Sequence, residues 1–516
     1  MSTDGGAVGT KSYTTADPVL RDHRSGATRR QWVGLWILAL GLGLVVLDGT
    51  IVAVSMPIIV TDLGLNIADA QWITSLYSVV FAALLLSMGR LGDATGRRRL
   101  MLIGVATFVA GSVMAALSSS IGPLLVSRVV QGIGGSMVLP STLSTVNATF
   151  RGRDRAAAFG VWGAVMSGSA ALGPLVGGAI TQFLQWPWIF WVNVPLGLMV
   201  FVGALVYVDE TRSNEGGGGA DPIGAVMSAL GFGAIVFGLI EANSLGWWTP
   251  TGTLVLGSLT WGPAAPVSAV PVAIGAGAVI LVGFVVWQKH RQKVGKPALL
   301  DLSLFRLRTF TLGNITAGLV AIGEFSLLFV LPLYLVSGLG LSPLSSGAVL
   351  ASMAAGAFLS GAAARHLAVR MGATRVVLLG LGLEIVGTLM TALALHQQWA
   401  GPWVALVLVP YGVGLGLASA QLTSTILHDV PADESGIGSA TQSTVRQLGT
   451  ALGSTIGGSV LAAALGLSLT GAGTGIGIDA SAGAAAACAS AVLTSAMVLA
   501  LGLLMAWGVD RAAKAS

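Results

Sequence analysis

Four carboxylic acids lie inside long apolar runs of the sequence, where a charged side chain is costly. They are Asp48, Glu241, Glu324 and Glu384. A charge in hydrocarbon costs at least about 2.5–3.5 kcal/mol, so such residues normally face a cavity or a partner and indicate function. Burial favours the protonated form of a carboxylic acid, and a nearby cation favours the ionised form. An acid in an intermittently wet cavity can therefore take up a proton on one side and release it on the other.

Arg128 is a cation that lies within such a run rather than at its end. An unpaired arginine there would be costly, so we expect a carboxylate or carbonyl partner, with Asp48 as the natural candidate. We hypothesise a switch in which Asp48 pairs with Arg128 when ionised and releases it when protonated or when a cationic substrate arrives. The alternative is a static ion pair that only stabilises the fold. Glu241, near the end of its run, can instead reach the interface.

The elements that must position these residues are membrane-spanning helices. With 26 Lys and Arg and 21 Asp and Glu, 47 of the 516 residues are charged, and the mean hydropathy is +0.84. A water-soluble protein has about a quarter of its residues charged, so this composition excludes a water-soluble protein. Fourteen stretches are long enough to cross a hydrocarbon core of about 30 Å, and they cover approximately residues 33–57, 70–88, 100–118, 122–147, 156–184, 188–208, 222–243, 268–287, 309–336, 344–364, 376–395, 402–427, 436–465 and 484–508.

The positions of the positive charges predict the topology. Of the 26 Lys and Arg residues, 25 fall in the tails and in every second connection, and the remaining one is Arg128. Arg446 is counted here with the connection that precedes the thirteenth span. Under the positive-inside rule, both termini and all charged connections are cytoplasmic. The basic pI of about 9.7 is therefore a topological signal and does not indicate a nucleic-acid partner.

The chain divides into five predicted regions. They are a disordered cytoplasmic tail over 1–31, an N-terminal six-helix bundle over 32–208, two inserted helices with linkers over 209–308, a C-terminal six-helix bundle over 309–508 and a cytoplasmic tail over 509–516. Residues 246–267 are apolar but broken by prolines, and we expect an extracellular loop there. Whether this loop dips into the membrane is left open.

An internal repeat supports this division. The segment Gln131 to Val146 aligns without gaps to Tyr411 to Ile426 at an offset of 280, and residues 173–178 align to 453–458 at the same offset. The offset equates span four with twelve and five with thirteen, so the repeat is parallel. Asp48 is echoed by Glu324 at an offset of 276, and the two acids could face one cavity from opposite halves. Parallel six-helix halves are typical of secondary transporters, whose binding site lies between the halves near the midplane.

The sequence lacks the residues that disulfide, metal-dependent or nucleotide-dependent chemistry would need. The single cysteine, Cys488, excludes an intramolecular disulfide and a cysteine-cluster metal site. The predicted spans contain no histidine and no metal-ligand cluster, and the sequence has no nucleotide-binding loop. We therefore predict neither an enzyme nor a cofactor, and ATP is not the expected energy source.

Five strings carry a resemblance to a known family. The string from Gly89 to Arg99 resembles the signature loop between helices two and three of the major facilitator superfamily. Four further strings are similar to its fourteen-helix drug:proton antiporter branch, and they run from Leu47 to Pro57, from Arg128 to Gly134, from Gly173 to Gly178 and from Trp188 to Gly197. The resemblance implies proton-driven efflux of hydrophobic, often cationic compounds, including antibiotics and dyes, across a bacterial plasma membrane. We expect a monomer whose partners are the substrate, protons and the bilayer.

The resemblance also implies roles for individual residues. Asp48 would couple proton and substrate, and Arg128 would assist proton transfer. A bendable, small-faced antiporter helix would be formed by Gly173, Pro174, Gly177 and Gly178. The gating loop would comprise Gly89, Arg90, Asp93, Gly96 and Arg97. Within it, Asp93 would latch the two halves in the outward-facing state, near the N-terminal end of span thirteen.

Two other functions remain open on the sequence. One is a dedicated exporter or importer of a single endogenous metabolite or lipid, because specificity lies in cavity side chains spread over many helices. The other is a membrane-embedded enzyme or receptor, against which the absence of metal-binding and nucleotide-binding motifs argues.

Overall fold

The computed structural model describes residues 27–150, 152–212, 221–256, 259–296, 298–430, 435–466 and 481–515. Most of the predicted N-terminal tail, residues 1–26, lies outside these ranges, as does part of several connections. The described chain is almost entirely helical. Its one sheet within those ranges is a two-stranded antiparallel hairpin, β1 (Leu254–Leu256) and β2 (Leu259–Trp261), in the loop over 246–267.

Each predicted span lies on a long helix, and the sixth is divided in two. The first group of helices consists of α1 (Arg29–Leu63), α2 (Ile67–Thr95), α3 (Arg97–Ala116), α4 (Ile121–Thr149), α5 (Gly152–Phe183), α6 (Trp188–Trp191) and α7 (Asn193–Tyr207). A hairpin of α8 (Pro222–Leu245) and α9 (Ala269–Lys293) follows. The second group consists of α10 (Arg308–Leu333), α11 (Pro343–Met371), α12 (Ala373–His396), α13 (Gly401–Ile426), α14 (Ser435–Ala464) and α15 (Ala482–Ala515).

The start of α1 shows how local sequence sets a helix boundary. The Thr28 side chain accepts a hydrogen bond from Gln31 N, and the Gln31 side chain accepts one from Thr28 N, which is a capping box. The helix therefore begins at Arg29, and residues 29–31, which the sequence assigned to the tail, belong to it. Gly64 ends the helix with a left-handed φ of 61°, which glycine adopts without steric cost.

The surface of the molecule is strongly apolar, and its largely apolar interior also buries charged side chains. Large hydrophobic side chains such as Val279 on α9 and Leu198 on α7 are 72% and 61% exposed. Asp48, Arg128 and Glu384 are buried. Twelve stretches of the described residues are long and apolar enough to cross a membrane. The long helices α5 and α14 are not counted in these twelve. Lipid in place of water around this surface explains the pattern, and the chain is a multi-pass membrane protein.

The two helix groups pack in the same way. In the first group α3 packs along α4 and α1 along α5, and in the second α12 packs along α13 and α10 along α14. Between the groups, α5 packs on α11 and α14 packs on α2. In the repeat α14 corresponds to α5 and α11 corresponds to α2. A pseudo-twofold axis between the groups therefore relates these two contacts to each other.

The α8–α9 hairpin lies against both groups. On α8, the Glu241 Oε1 atom accepts a hydrogen bond from Trp72 Nε1 on α2 at 2.9 Å, and Asn243 Nδ2 donates to Ser459 O on α14 at 3.0 Å. Glu241 thus has a protein partner rather than only the interface that the sequence suggested. At the other end, Asp221 caps α8 and accepts hydrogen bonds from Trp287 and Gln288 of α9.

Candidate functional site

The first helix group buries an ion pair at its centre. Arg128 Nη1 on α4 lies 2.8 Å from Asp48 Oδ2 on α1, and the two residues are 1% and 0% exposed. This is the partner that the sequence suggested for Arg128. Because a buried charge without a partner is very costly, the pair accounts for how both residues are tolerated here.

Three neutral side chains complete the surroundings of Asp48. Gln131 Nε2 on α4 and Asn193 Nδ2 on α7 donate to Asp48 Oδ1 at 3.0 and 2.7 Å. Both amides also donate to Ser112 Oγ on α3. Four helices therefore meet at one carboxylate. The sequence analysis did not assign a role to any of these three residues, since neutral polar side chains barely change hydropathy. The available signals were the repeat at Gln131 and the family-like strings that contain Gln131 and Asn193.

Arg128 is held by further contacts from α2. Its Nε donates to Ile73 O at 3.2 Å, and its guanidinium carbon lies 4.3 Å from the centre of the Tyr77 ring. A cation over an aromatic face is attracted by the ring quadrupole. These contacts can hold Arg128 in place independently of its bond to Asp48.

The second helix group contains a different ion pair. Arg446 Nη2 on α14 lies 3.4 Å from Glu324 Oε2 on α10, and the Glu324 side chain is 3% exposed. The sequence counted Arg446 with the cytoplasmic connection, and this was wrong because Arg446 lies eleven residues inside α14, which begins at Ser435. Its position inside the predicted span 436–465 was the signal that could have found it.

Asp48 and Glu324 do not share partners. The groups that bind Asp48 lie on α4 and α7, whereas the cation beside Glu324 lies on α14. That the two acids face one cavity from opposite halves stays a prediction. Glu384 on α12 is also fully buried, and its electrostatic neighbours are Glu324 and Arg446.

The signature loop connects α2 and α3 through Gly96, whose φ of 118° favours glycine. Arg97 Nη2 lies 2.7 Å from Asp93 Oδ1, and Arg97 Nη1 donates to Ser144 O on α4 at 3.2 Å. Asp93 is thus paired within its own loop. Gly89 and Arg90 belong to the last turns of α2, and a Cβ at Gly89 would lie 3.5 Å from Pro140 on α4.

The glycine motif of α5 lies between α1 and α11. A Cβ at Gly177 would lie 3.1 Å from Ile51 O on α1, and a Cβ at Gly178 would lie 2.6 Å from Pro343 O on α11. A Cβ at Gly173 would meet the Thr50 side chain on α1. Pro174 is buried within the helix, where it removes one backbone hydrogen bond. The glycines of this motif let the backbone of α5 approach the backbones of α1 in the first helix group and α11 in the second.

Polar side chains join the two groups at the end of the molecule that holds the α1–α2 connection. Gln71 Nε2 on α2 donates to Thr455 O and to Ser459 Oγ on α14, at 2.5 and 3.3 Å. One turn further, Ser75 Oγ lies 2.9 Å from Ser454 Oγ and 3.0 Å from Thr455 Oγ1. We call this contact the α2–α14 closure.

Comparison with known proteins agrees with this architecture. The family model described as Major Facilitator Superfamily matches residues 38–454. The chain is 31% identical over 466 residues to the tetracenomycin C resistance and export protein of Streptomyces glaucescens, covering 89% of this chain and 81% of that protein. It is 33% identical over 435 residues to the multidrug efflux pump LfrA of Mycolicibacterium smegmatis, covering 84% and 81%.

A solved structure shows the same fold. The crystal structure of a bacterial homolog to the human lysosomal transporter Spinster, inward-facing and unoccupied, superposes with a TM-score of 0.63 at 16% identity, covering 94% of this chain and 98% of that one. Fold, repeat and buried ion pairs define a membrane transporter. The chain belongs to the Major Facilitator Superfamily. Relatives within it are drug and antibiotic efflux proteins.

Proposed function

We propose that this protein exports hydrophobic or cationic drugs and antibiotics across the bacterial plasma membrane in exchange for protons. One observation carries the proposal: the fully buried carboxylate of Asp48 faces a cation and two amide donors where four helices meet. Its negative charge is balanced by Arg128 when it is ionised, and the carboxyl group itself becomes neutral when it binds a proton. The charge of this buried group can therefore change, which proton coupling needs.

The same contacts suggest how a proton moves the helices. Protonation of Asp48 weakens its bond to Arg128, which keeps its contacts to α2 through Ile73 O and Tyr77. The bonds from Gln131 and Asn193 weaken as well, because hydrogen bonds to an ionised acceptor are roughly twice as strong as neutral ones. The link between α1 and the helices α4 and α7 thus depends on the proton, and α1 is also the helix that packs along α5.

Alternating access follows from the closure at one end. With fourteen spans and cytoplasmic termini, the α1–α2 end is the outer end, so the α2–α14 closure and the α5–α11 contact seal the outside. The first six and last six spans act as the two moving halves, with α8 and α9 inserted between them. When the outer side opens, Asp93 leaves Arg97 and latches the cytoplasmic ends near the start of α14. Each proton entering down 100 mV supplies about 2.3 kcal/mol, enough for about 50-fold accumulation.

The test is the loss of proton-driven export when Asp48 cannot ionise. Cells that express the Asp48→Asn variant should retain ethidium to the level of cells treated with an uncoupler, whereas wild-type cells retain less. Asp62→Asn is the matched control, since Asp62 is also on α1 but accepts from Trp186 Nε1 at the helix end. Asp62→Asn should export like the wild type. Normal export by Asp48→Asn at equal membrane abundance would refute the proposal.

A narrower substrate range is the second candidate. The name of the Streptomyces glaucescens relative specifies one compound, tetracenomycin C, whereas LfrA is named a multidrug pump. A dedicated transporter of one metabolite or lipid would protect cells against a single compound. A resistance panel with chemically unrelated antibiotics and dyes decides between them: protection against several classes supports the multidrug function.

A further inference from the structure

The internal repeat superposes the two buried acid clusters residue by residue. Asp48 corresponds to Glu324 at an offset of 276, and Gln131, which binds Asp48, corresponds to Tyr411 at an offset of 280. The packing supports the correspondence. A Cβ at Gly111 would lie 2.8 Å from Gln131 N, and a Cβ at its mate Gly387 would lie 2.6 Å from Tyr411 N. The α3–α4 and α12–α13 contacts are therefore built alike.

One position differs in a way that changes the charge. A Cβ at Gly134 would lie 2.5 Å from Phe108 N on α3, and a Cβ at its mate Gly414 would lie 2.6 Å from Glu384 N on α12. Glu384 thus stands where the first group has the phenyl ring of Phe108, again at an offset of 276. The second cluster has gained a carboxylate.

The cations do not follow the repeat. The mate of Arg128 on α13 is Leu408, and the cation of the second cluster comes instead from Arg446 on α14. The first cluster holds one acid and one cation and is neutral. The second holds Glu324 and Glu384 against one cation among the described residues, so it carries one negative charge in excess when both acids are ionised.

The hydrogen bonds show the same imbalance. Among the described residues, four buried oxygen atoms of the second cluster have no hydrogen-bond partner: Glu324 Oε1, Glu384 Oε1, Glu384 Oε2 and Tyr411 Oη. By contrast, both oxygens of Asp48 are bonded. A buried carboxylate without donors is very costly and is normally neutralised by a proton or a cation.

The surroundings of Glu384 offer no other compensation among the described residues. Glu324 on α10, Arg446 on α14 and Tyr411 on α13 are the ionisable groups that act on this cluster. The titratable side chain in the apolar part of α15, which packs along α12, is Cys488, and it lies beside Tyr334. The charged residues of α11 are at its C-terminal end. One positive charge is therefore missing from the cluster.

We propose that Glu324, Glu384 and Tyr411 form a second exchange site, which holds one proton when empty and binds the positive charge of a lipophilic monocation in its place. The proposal rests on the export function above and deepens it by naming the substrate class. When the cation enters, the shared proton leaves to water, so the charge of the site does not change. Tyr411, whose hydroxyl makes no hydrogen bond among the described residues, is the donor available to the carboxylate that becomes ionised.

Proton release on substrate binding tests this site directly. Purified full-length protein in lipid nanodiscs is mixed with tetraphenylphosphonium in weakly buffered solution that contains a pH indicator. The wild type should release about one proton per cation bound. Its apparent Kd for tetraphenylphosphonium should rise about tenfold for each unit by which the pH falls below the pKa of the site. The Glu384→Gln variant, which is neutral without a proton, should release none and bind tetraphenylphosphonium at least tenfold more weakly.

Two further variants separate this proposal from the export mechanism. Glu241→Gln, which removes a carboxylate on α8 outside the cluster, should release the proton as the wild type does. Asp48→Asn should also release it, even though export is lost. Absence of tetraphenylphosphonium binding or of proton release in the wild type would overturn the proposal. This result does not depend on whether any variant folds. Release that is unchanged in a monodisperse Glu384→Gln protein, or lost in Asp48→Asn, would overturn it as well.

Discussion

Replacing Arg128 with methionine leaves Asp48 buried without its cation, and the structure gives the size of the effect. Removing one partner of a buried ion pair typically costs about 3–5 kcal/mol. Gln131 and Asn193 still donate to Asp48 Oδ1, at 3.0 and 2.7 Å, and each bond to a charged acceptor contributes about 1.5–3 kcal/mol. These remaining bonds place the expected loss at the low end, about 3 kcal/mol of unfolding free energy at pH 8.

The measurement is a double-mutant cycle. Unfolding of the wild type, Arg128→Met, Asp48→Asn and the double variant is followed in mixed micelles with increasing sodium dodecyl sulfate. The double variant should be more stable than Arg128→Met alone, with a coupling energy of at least about 2 kcal/mol, because it buries no unpaired charge. Additive effects of the two substitutions at pH 8 would refute this reasoning.

Three other changes test the architecture. Gly134→Ala should destabilise the protein by about 1–3 kcal/mol through crowding of α3 against α4, whereas Gly122→Ala on the same helix, where a Cβ would meet open space, should be neutral or slightly stabilising in thermal unfolding. Gln71→Ala should weaken the α2–α14 closure and increase labelling of a Ser454→Cys reporter by a membrane-impermeant maleimide; unchanged labelling would speak against the closure. Burial opposes ionisation of Asp221, but the hydrogen bonds it accepts outweigh this effect and lower its pKa. Its contribution is therefore present at neutral pH, and the deficit of Asp221→Asn in thermal unfolding, about 1 kcal/mol, should shrink progressively as the pH falls below about 4 and through the lowered pKa of the folded state.

The sequence predicted the parts of the fold that depend on hydropathy and periodicity. The apolar stretches lie on helices, of which twelve among the described residues are long and apolar enough to span a membrane, because a membrane span must satisfy its own backbone hydrogen bonds. The internal offset of 280 correctly equated α4 with α13 and α5 with α14, since glycine spacing records which backbones approach closely. The division of the sixth span into α6 and α7 was not predicted, as hydropathy does not resolve a local break.

The candidate site was predicted in its charged members and missed in its neutral ones. Asp48 and Arg128 were found because charge in an apolar run is conspicuous. Asn193 and Ser112 carry no such signal, and their role depends on how four helices are rotated relative to one another. Arg446 was misassigned because its charge was grouped with the preceding connection, although it lies inside the predicted span 436–465. The partner of a buried charge is determined by how the helices pack, which the hydropathy pattern of the sequence does not report.

Coupling of export to proton movement through Asp48 can be measured in proteoliposomes. Purified protein is reconstituted into vesicles that contain a pH-sensitive dye, and a gradient of ethidium is imposed across the membrane. The wild type and Asp62→Asn should move protons against the direction of ethidium flow, and Asp48→Asn should move none. Ethidium transport by the wild type without any proton movement, or proton-coupled transport by Asp48→Asn, would contradict the account.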